Sequence, residues 1–245
     1  SKVLKMEEKT KRIQKILSEQ GICSRRKAEE LILSGKILIN NKIAKLGECV
    51  TINDEIKINN RIIKLNNNVA NNFKYIVLNK PMNTICTASD PQNRKTIYEY
   101  LKAKERLFSI GRLDFNTTGI ILITNDGEFA NLLSHPSSKI PRIYIATLER
   151  EMLDGELNLL NSNHVLLNGK ISKQKVTKLS AFKYEVLLYE GRNHHVKNLF
   201  LLVNNYVKKL HRKSFGCIDD SNLKIGQYRD LTSSEINKLL AYIKK

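Results

Sequence analysis

The residues best suited to chemistry lie in the segment Gly111–Gly119, where a single carboxylate, Asp114, stands between two glycines. Glycines permit unusual backbone angles, and Asn116, Thr117 and Thr118 can hydrogen-bond the backbone of their own loop. Together they could hold the Asp114 side chain in one orientation, as a nucleophile requires. An ordinary aspartate turn would look similar, and from the loop alone that interpretation is the favoured one.

A second polar cluster runs from a predicted strand into a predicted helix. Its candidate residues are Arg192, Asn193, His194, His195 and Lys197. Cations near a helix N-terminus oppose the helix dipole, so local stability does not explain them. If Lys197 or Arg192 lies beside Asp114, the cation would keep that carboxylate ionised. Adjacent histidines rarely hold a metal without further ligands, and we expect no metal ion here.

The hydrophobic pattern outlines the elements that position these clusters. After residue 72, short apolar runs alternate with helical spacings, which predicts a mixed sheet flanked by helices. The predicted strands cover residues 75–78, 107–110, 119–123, 142–148 and 184–188. Helices are predicted near 96–104 and 128–133, around Val196–Val203, and from Thr232, where Glu235 completes a capping box.

The first 65 residues predict a separate, small α+β module. Apolar spacing indicates one helix around Ile13–Leu17 and a second that begins after Ser24 as its N-cap and ends at Ser34. Short β-prone runs follow at 37–39 and 55–58. The Asn-rich stretch 66–72 has little to bury, so we predict a linker there, between a domain of residues 1–65 and one of residues 73–245.

The chain is strongly basic, with 42 Lys and Arg against 24 Asp and Glu and a formal charge of +18. Residues 1–65 carry 15 basic and 8 acidic side chains, and residues 66–245 carry 27 and 16. This excess favours a polyanionic partner, because neutralised phosphates release condensed counterions. Cations on both sides of the predicted linker suit a long RNA better than a local contact with an anionic membrane.

The N-terminal module contains a candidate phosphate-binding face. Arg25, Arg26 and Lys27 fall in the first turn of the second helix, where each opposes the dipole at a cost of about a few tenths of a kcal/mol. Phosphate binding would explain them, together with cations predicted on the preceding helix. The predicted contacts are Lys11, Arg12, Lys15, Ser24, Arg25, Arg26 and Lys27.

Other classes of protein fit the sequence less well. No apolar run reaches the roughly 20 residues of a membrane span. The opening segment has no signal-peptide core, so we expect a cytoplasmic protein. Cys23, Cys49, Cys86 and Cys217 have no paired spacing, which argues against a zinc site or a disulfide framework, and we expect them to be core residues.

The run Gly111–Glu128 resembles the signature of the bacterial rRNA pseudouridine synthases of the RsuA/RluB type. The likeness extends to Leu78–Pro81, Arg142–Tyr144, Gly191–Phe200, and Leu210–Arg212 with Gly216. The N-terminal module resembles the RNA-binding domain first described in the small-subunit ribosomal protein four. The resemblance covers nearly the whole chain and implies an α+β protein, with a small RNA-binding module and a larger domain on a mixed, mainly antiparallel sheet.

The resemblance also implies an activity: isomerisation of uridine to pseudouridine in ribosomal RNA. Asp114 would be the nucleophile, Tyr144 would stack on the target uracil, and Lys197 would pair with the aspartate. The uracil changes its bond to the sugar from N1 to C5, which requires no cofactor. The target base must be flipped out, and an aromatic platform offsets the lost stacking by about 1–3 kcal/mol. Further RNA contacts are predicted at Lys80, Arg112, Arg142, Arg192, Asn193, His194, His195 and Arg212.

Three positions depart from the family pattern. Arg142 stands where relatives usually carry Lys, His195 stands where they often carry Gln or Glu, and Lys197 is followed by Asn198 instead of a second cation. The sequences of Phe115–Thr117 and Asn125–Glu128 are closer to those of the family branch that acts on the large ribosomal subunit. We therefore expect 23S rRNA to be the substrate. We also expect the protein to be a monomer.

Two other functions compete with this one. A catalytically silent RNA-binding or ribosome-assembly factor on the same fold would best be signalled by loss of Asp114, which is present. A glycoside hydrolase could pair Asp114 with Asp126 or Glu128. The basic composition and the absence of Trp, which often stacks on sugars, disfavour it.

Overall fold

The computed structural model describes residues 10–65, 73–88 and 90–243. The chain forms two compact units: residues 1–74 with 103–107 and 125–127, and the remainder of residues 75–245. The predicted linker 66–72 lies outside the described residues, and the predicted domain limits stay a prediction.

The N-terminal unit is a small α+β module, as predicted. Its elements are β1 (Lys11–Arg12), α1 (Ile13–Glu19), α2 (Arg25–Leu33), β2 (Ile37–Ile39), β3 (Lys42–Ile43), β4 (Cys49–Val50), β5 (Ile56–Ile58) and β6 (Arg61–Ile63). Four strands form a sheet in the order β3-β2-β5-β6, and β1 pairs with β4. Ile13, Leu17 and Ala28 bring α1 and α2 into one apolar cluster with Ile37 and Ile56.

Both N-terminal helices begin near the predicted positions. The Ser24 hydroxyl accepts from the Lys27 N–H (2.9 Å), which confirms the N-cap of α2, and the helix ends before Ser34. The placement of Lys11 and Arg12 on the first helix is wrong. They form β1, because the chain stays extended up to Arg12.

The larger unit contains the other elements. They are β7 (Tyr75–Lys80), β8 (Phe108–Ile110), β9 (Thr117–Thr124), α3 (Gly127–Ser134), β10 (Arg142–Leu148), α4 (Asp154–Leu160), β11 (Leu166–Leu167), β12 (Lys170–Ile171), β13 (Gln174–Lys178), β14 (Lys183–Leu188), α5 (His195–Leu201), β15 (Val207–Phe215), β16 (Ile218–Asp219), β17 (Tyr228–Asp230) and α6 (Ser233–Ala241). These bounds agree with the predicted strands and with three of the four predicted helices. Short 3-10 turns cover Ile97–Tyr100 and Pro136–Ser138.

One large sheet dominates this unit. Its main path is β13-β14-β10-β15-β9-β7-β17, with β16 paired to β15 and β8 paired to β9. The pairing of β15 with β9 is parallel and the other described pairings of this sheet are antiparallel. This confirms the predicted mixed, mainly antiparallel sheet.

Helices cover the sheet with apolar faces, and β9 is buried almost throughout. Phe129 and Leu133 of α3 and Leu239 of α6 pack with Ile120 and Leu122 of β9. The α6 helix begins as predicted, because Thr232 and Glu235 form a reciprocal capping box.

The helix predicted at 96–104 is wrong. A capping box between Thr96 and Glu99 starts a turn, but the backbone is extended again at Leu101. The Lys102 N–H then donates to the Tyr228 hydroxyl (3.2 Å). This tertiary contact holds the segment in a non-helical path.

The four cysteines differ in burial. Cys86 is buried and Cys23 partly so, but Cys49 and Cys217 are exposed, so the expectation of four core residues is wrong for those two. Among residues 10–65, 73–88 and 90–243, no three His, Cys, Asp or Glu side chains cluster as metal ligands do. No helix in this described part is long and apolar enough to span a membrane.

Candidate active site

The loop that carries Asp114 connects β8 to β9 and is held on both sides of that residue. The Thr117 N–H donates to the Asp114 carbonyl (3.0 Å) and closes a turn. The Leu113 N–H donates to the Cys86 sulfur, and the Cys86 thiol donates to the Leu113 carbonyl, each over 3.4 Å. The Asp114 side chain therefore projects from a fixed backbone.

The polar side chains after Asp114 have other roles than bonding the loop backbone. Asn116 accepts a hydrogen bond from Lys197 (3.2 Å), and the Thr118 hydroxyl lies 2.7 Å from His211 Nδ1. The Thr117 hydroxyl is buried and has no hydrogen-bond partner in the described part of the chain. Thr117 and Thr118 belong to β9, so the loop is shorter than predicted.

Lys80, at the end of β7, supports this loop. Its ammonium donates to the carbonyl oxygens of Pro81 (2.9 Å), Thr84 (2.7 Å) and Phe115 (3.3 Å). The side chain is 0% exposed, and its predicted RNA contact stays a prediction. Burial lowers the pKa of Lys80 to about 8, and the nearby Cys86 and Asp114 oppose that shift.

Asp114 is contacted through one of its two carboxylate oxygens. Lys197 Nζ donates to Oδ2 over 3.1 Å, and His194 Nδ1 lies 3.0 Å from the same oxygen. No hydrogen bond from the described residues reaches Oδ1. The Asp114 side chain is about one-third exposed. The arrangement orients the carboxylate and leaves one oxygen available for attack.

The segment before α5 explains how His194 and Lys197 reach Asp114. His194 adopts a left-handed conformation (φ 49°) at the start of the helix, and Lys197 follows on its first turn. Arg192 Nε donates to Glu190 (2.8 Å), and its other nitrogens donate to carbonyls of the β11–β12 hairpin. Lys197 rather than Arg192 is therefore the cation beside Asp114.

His195 is a buried part of the support. It is 5% exposed, and its Nε2 lies 2.8 Å from the Ser172 hydroxyl. His195 is the first residue of α5, and its predicted RNA contact stays a prediction. Burial lowers its pKa to about 4, with contributions from Arg192 and Arg142 that Glu190 opposes. The imidazole is neutral at neutral pH.

A row of residues crosses three strands beside Asp114. Tyr144 of β10 is opposite Arg212 of β15, which is opposite Gly119 of β9. A Cβ on Gly119 would lie 2.2 Å from the Arg212 carbonyl oxygen, and the φ of Gly119 is +120°. Only glycine fits this close approach. Arg212 is 4% exposed, and its Nε donates to the Ile120 carbonyl (2.7 Å).

Two recesses meet at this row. The smaller one, of about 60 Å³, is the aspartate recess, and it is lined by Asp114, Tyr144, His194 and Lys197 among others. The larger one, of about 390 Å³, is the arginine cleft, lined by Arg112, Arg142, Arg192 and Arg212 together with Tyr144. The structure thus brings Tyr144 and four predicted cations to one place. Asn193 lies nearby on the surface and lines a further recess with Asp114.

The side chains predicted to bind RNA in the N-terminal unit differ in whether they already form ion pairs within the protein. Lys11 and Lys15 lie 2.6 Å and 3.9 Å from Glu19, and Lys27 lies 3.6 Å from Glu30. Arg12, Arg25 and Arg26 form no ion pair with the described residues, and Arg12 and Arg26 are exposed. Ser24 is used as the cap of α2.

Several supporting residues were missed in the sequence. Cys86 was assigned only to the core, although it holds Leu113. The Phe215 ring is contacted by two arginine side chains, with centroid distances of 5.0 Å to Arg142 and 5.2 Å to Arg212. Arg212 shares β15 with Phe215, but Arg142 lies on β10 and Cys86 is 27 residues from Leu113, so no local spacing indicates those two contacts.

A mixed sheet with a fixed aspartate, an adjacent lysine and a tyrosine beside cationic recesses defines an RNA-modifying class of enzyme. The family model described as RNA pseudouridylate synthase matches residues 74–202, and the S4 domain model matches residues 11–56. The chain belongs to the RNA pseudouridine synthase family and carries an S4 domain. It is therefore an isomerase that acts on RNA.

Relatives and solved structures agree with this membership. An uncharacterized RNA pseudouridine synthase of Borreliella burgdorferi is 38% identical over 97% of this chain and 96% of that protein. Ribosomal large subunit pseudouridine synthase B of Bacillus subtilis is 36% identical over 94% and 96%. A crystal structure of a pseudouridylate synthase covers 93% of this chain and 99% of its own, with 29% identity and a TM-score of 0.67. Family membership excludes the glycoside hydrolase interpretation.

Proposed function

We propose that the protein converts a uridine of large-subunit ribosomal RNA into pseudouridine, with Asp114 as the nucleophile. The observation that carries the proposal is the asymmetric contact of the Asp114 carboxylate. Oδ2 is within 3.1 Å of both Lys197 Nζ and His194 Nδ1, and Oδ1 has no partner among the described residues. The cation orients the carboxylate through Oδ2, and Oδ1 is the oxygen left for attack on the substrate.

The proposed reaction uses the Asp114 carboxylate and the Tyr144 ring. The carboxylate forms a covalent bond to the sugar or the base while the N1–C1′ bond breaks. The uracil rotates and the C5–C1′ bond forms, the bond to Asp114 breaks with return of its electron pair to the carboxylate, and C5 loses a proton while N1 gains one. The reaction is therefore balanced without a cofactor. Tyr144 lines the aspartate recess and supplies a face on which the flipped uracil stacks.

Ribosomal RNA as substrate is supported by the relatives and by the charge. The Bacillus subtilis relative is named for the large ribosomal subunit and aligns over 94% of this chain. Both halves of the chain carry excess positive charge, which suits a long RNA bound by the S4 domain and the catalytic domain. The proposal includes action as a monomer in the cytoplasm during ribosome biogenesis.

Two experiments test the proposal. Asp114→Asn should abolish pseudouridine formation and leave RNA affinity nearly unchanged, whereas the control Asp230→Asn, an exposed aspartate on β17, should keep full activity. Full activity of Asp114→Asn would refute the nucleophile. Mapping pseudouridines in rRNA from cells with and without the gene identifies the target. Unchanged rRNA, together with an inactive wild-type enzyme, would favour a silent assembly factor.

A further inference from the structure

The arginine cleft contains two largely buried cations from neighbouring strands. Arg142 of β10 and Arg212 of β15 both lie over the Phe215 ring, at 5.0 Å and 5.2 Å. The Arg142 side chain makes no hydrogen bond to any described residue, and its Nε is buried without a partner. The Nη atoms of Arg212 are likewise unbonded by described residues, since only Nε donates, to Ile120.

No acidic side chain of the described residues forms an ion pair with Arg142 or Arg212, and Glu190 acts on Arg142 only from a longer distance. The acidic lining residue is Glu190, and its Oε1 accepts from Arg192 at 2.8 Å. Arg112, Lys170 and Arg192 add three more cations to the lining. Burial, reinforced by the like charge of Arg212 and opposed by Tyr144 and Glu190, lowers the pKa of Arg142 to about 10. Buried cations without a counter-charge are costly, and a bound anion would remove that cost.

The backbone leaves room for the Arg142 side chain. A Cβ on Gly191 would lie 2.6 Å from Arg142 Nη1, so the guanidinium occupies the space that any other residue would fill. Tyr144, two residues from Arg142 on the same strand, lines both the arginine cleft and the aspartate recess. A nucleotide whose base lies against Tyr144 would therefore present a neighbouring phosphate to the cleft.

We propose that Arg142 and Arg212 form a phosphate-binding site that holds a backbone phosphate next to the flipped uridine. Guanidinium groups bind phosphate with short, charge-assisted hydrogen bonds. A neutral uracil would leave the two charges uncompensated, whereas each RNA phosphate supplies one negative charge. The inference rests on the proposed function only for the identity of the RNA, because the site needs no chemistry at Asp114.

The test compares ligands that differ in one phosphate. Binding of uridine, uridine 5′-monophosphate and uridine 3′-monophosphate is measured by NMR titration on the Asp114→Asn protein, so turnover does not interfere. One monophosphate should bind roughly tenfold or more tightly than uridine. Arg142→Gln should remove that advantage and leave uridine binding unchanged, and Arg142→Lys should restore part of it.

The matched control is Lys213→Gln, which removes an exposed cation next to Arg212 in the sequence. It should keep the full advantage of the monophosphate. Equal binding of uridine and both monophosphates by the Asp114→Asn protein would overturn the proposal, and this result requires no variant of Arg142. A loss of uridine binding in a folded Arg142→Gln protein would also overturn it, since the cleft would then hold the base. Activity retained by Asp114→Asn would contradict only the proposed nucleophile.

Discussion

Lys197 Nζ bridges Asp114 Oδ2 and Asn116 Oδ1, at 3.1 Å and 3.2 Å, and thereby links α5 to the loop before β9. Lys197 and Asp114 are 83 residues apart in the chain, and the ammonium is the point at which the two segments meet. The Lys197 side chain is partly exposed, so surrounding side chains do not enclose it completely. Its position on the first turn of α5 directs the ammonium towards Asp114.

Lys197→Met should lower the rate of pseudouridine formation by about tenfold to a hundredfold, because a charge-assisted hydrogen bond is worth about 1.5–3 kcal/mol. Lys197→Arg keeps the charge and should retain more activity than the methionine variant. Single-turnover rates measure the effect, with Lys208→Met, an exposed lysine of β15, as the control. A methionine variant as fast as wild type would show that the contact has no catalytic value.

The contact between Lys197 and Asp114 was one of two possibilities in the sequence, which offered Arg192 as well. Their spacing in the sequence places both cations near the start of one helix. It does not show which of the two side chains is hydrogen-bonded to another part of the fold. The β11–β12 hairpin engages Arg192 through three carbonyls, and this leaves Lys197 for the aspartate. Tertiary partners thus decide between residues that the local pattern treats alike.

Local signals predicted the elements well where the stabilising contacts are themselves local. The Ser24 cap and the Thr232 capping box lie within one turn of helix, and both are present. Lys80 and His195 are buried, which their residue types do not indicate, since Lys mostly remains exposed in proteins and His is intermediate. Their partners come from loops that only the folded sheet brings together.

Gly119→Ala should destabilise the catalytic domain by about 3 kcal/mol or more, because overpacking and a strained backbone act together. Its Cβ would lie 2.2 Å from the Arg212 carbonyl oxygen, at a backbone φ of +120°. Separation of β9 from β15 would also move Asp114. Urea unfolding measures the change.

Gly155→Ala provides the control for this substitution. Gly155 lies in α4, where an added Cβ would have no neighbouring atom within 4 Å, and alanine is the better helix former. That variant should be as stable as wild type or slightly more so. Equal unfolding midpoints for the two alanine variants would show that the close approach at Gly119 is unimportant.

Arg25→Ala with Arg26→Ala should weaken RNA binding and flatten its salt dependence. These arginines form no ion pair with the described residues, so the loss should reflect phosphates they no longer neutralise. The slope of log K against log salt should fall by about one to two. Lys42→Ala with Lys45→Ala removes the same charge from exposed positions elsewhere in this unit. An equal slope change in both double variants would indicate net charge rather than a specific face.

His195 should make the protein sensitive to acid. Its neutral ring is fully bonded, because Ser172 donates to Gln174 and accepts from Nε2–H, while Nδ1 accepts from the Arg192 N–H (3.4 Å). Protonation would place a hydrogen on Nδ1 against that N–H. The folded-state pKa of about 4 is below the usual 6.5, so the unfolded chain takes up the proton first.

Stability should therefore fall as the pH falls from 6.5 towards 4, by about 1.4 kcal/mol per pH unit at most from this group. His195→Gln can keep a hydrogen bond to Ser172 without titrating, so it should lose less stability over that interval. His164→Gln, at an exposed histidine, should behave like wild type. Urea unfolding at pH 7 and pH 5 measures the difference. Parallel losses in wild type and His195→Gln would mean that groups other than this imidazole cause the acid sensitivity.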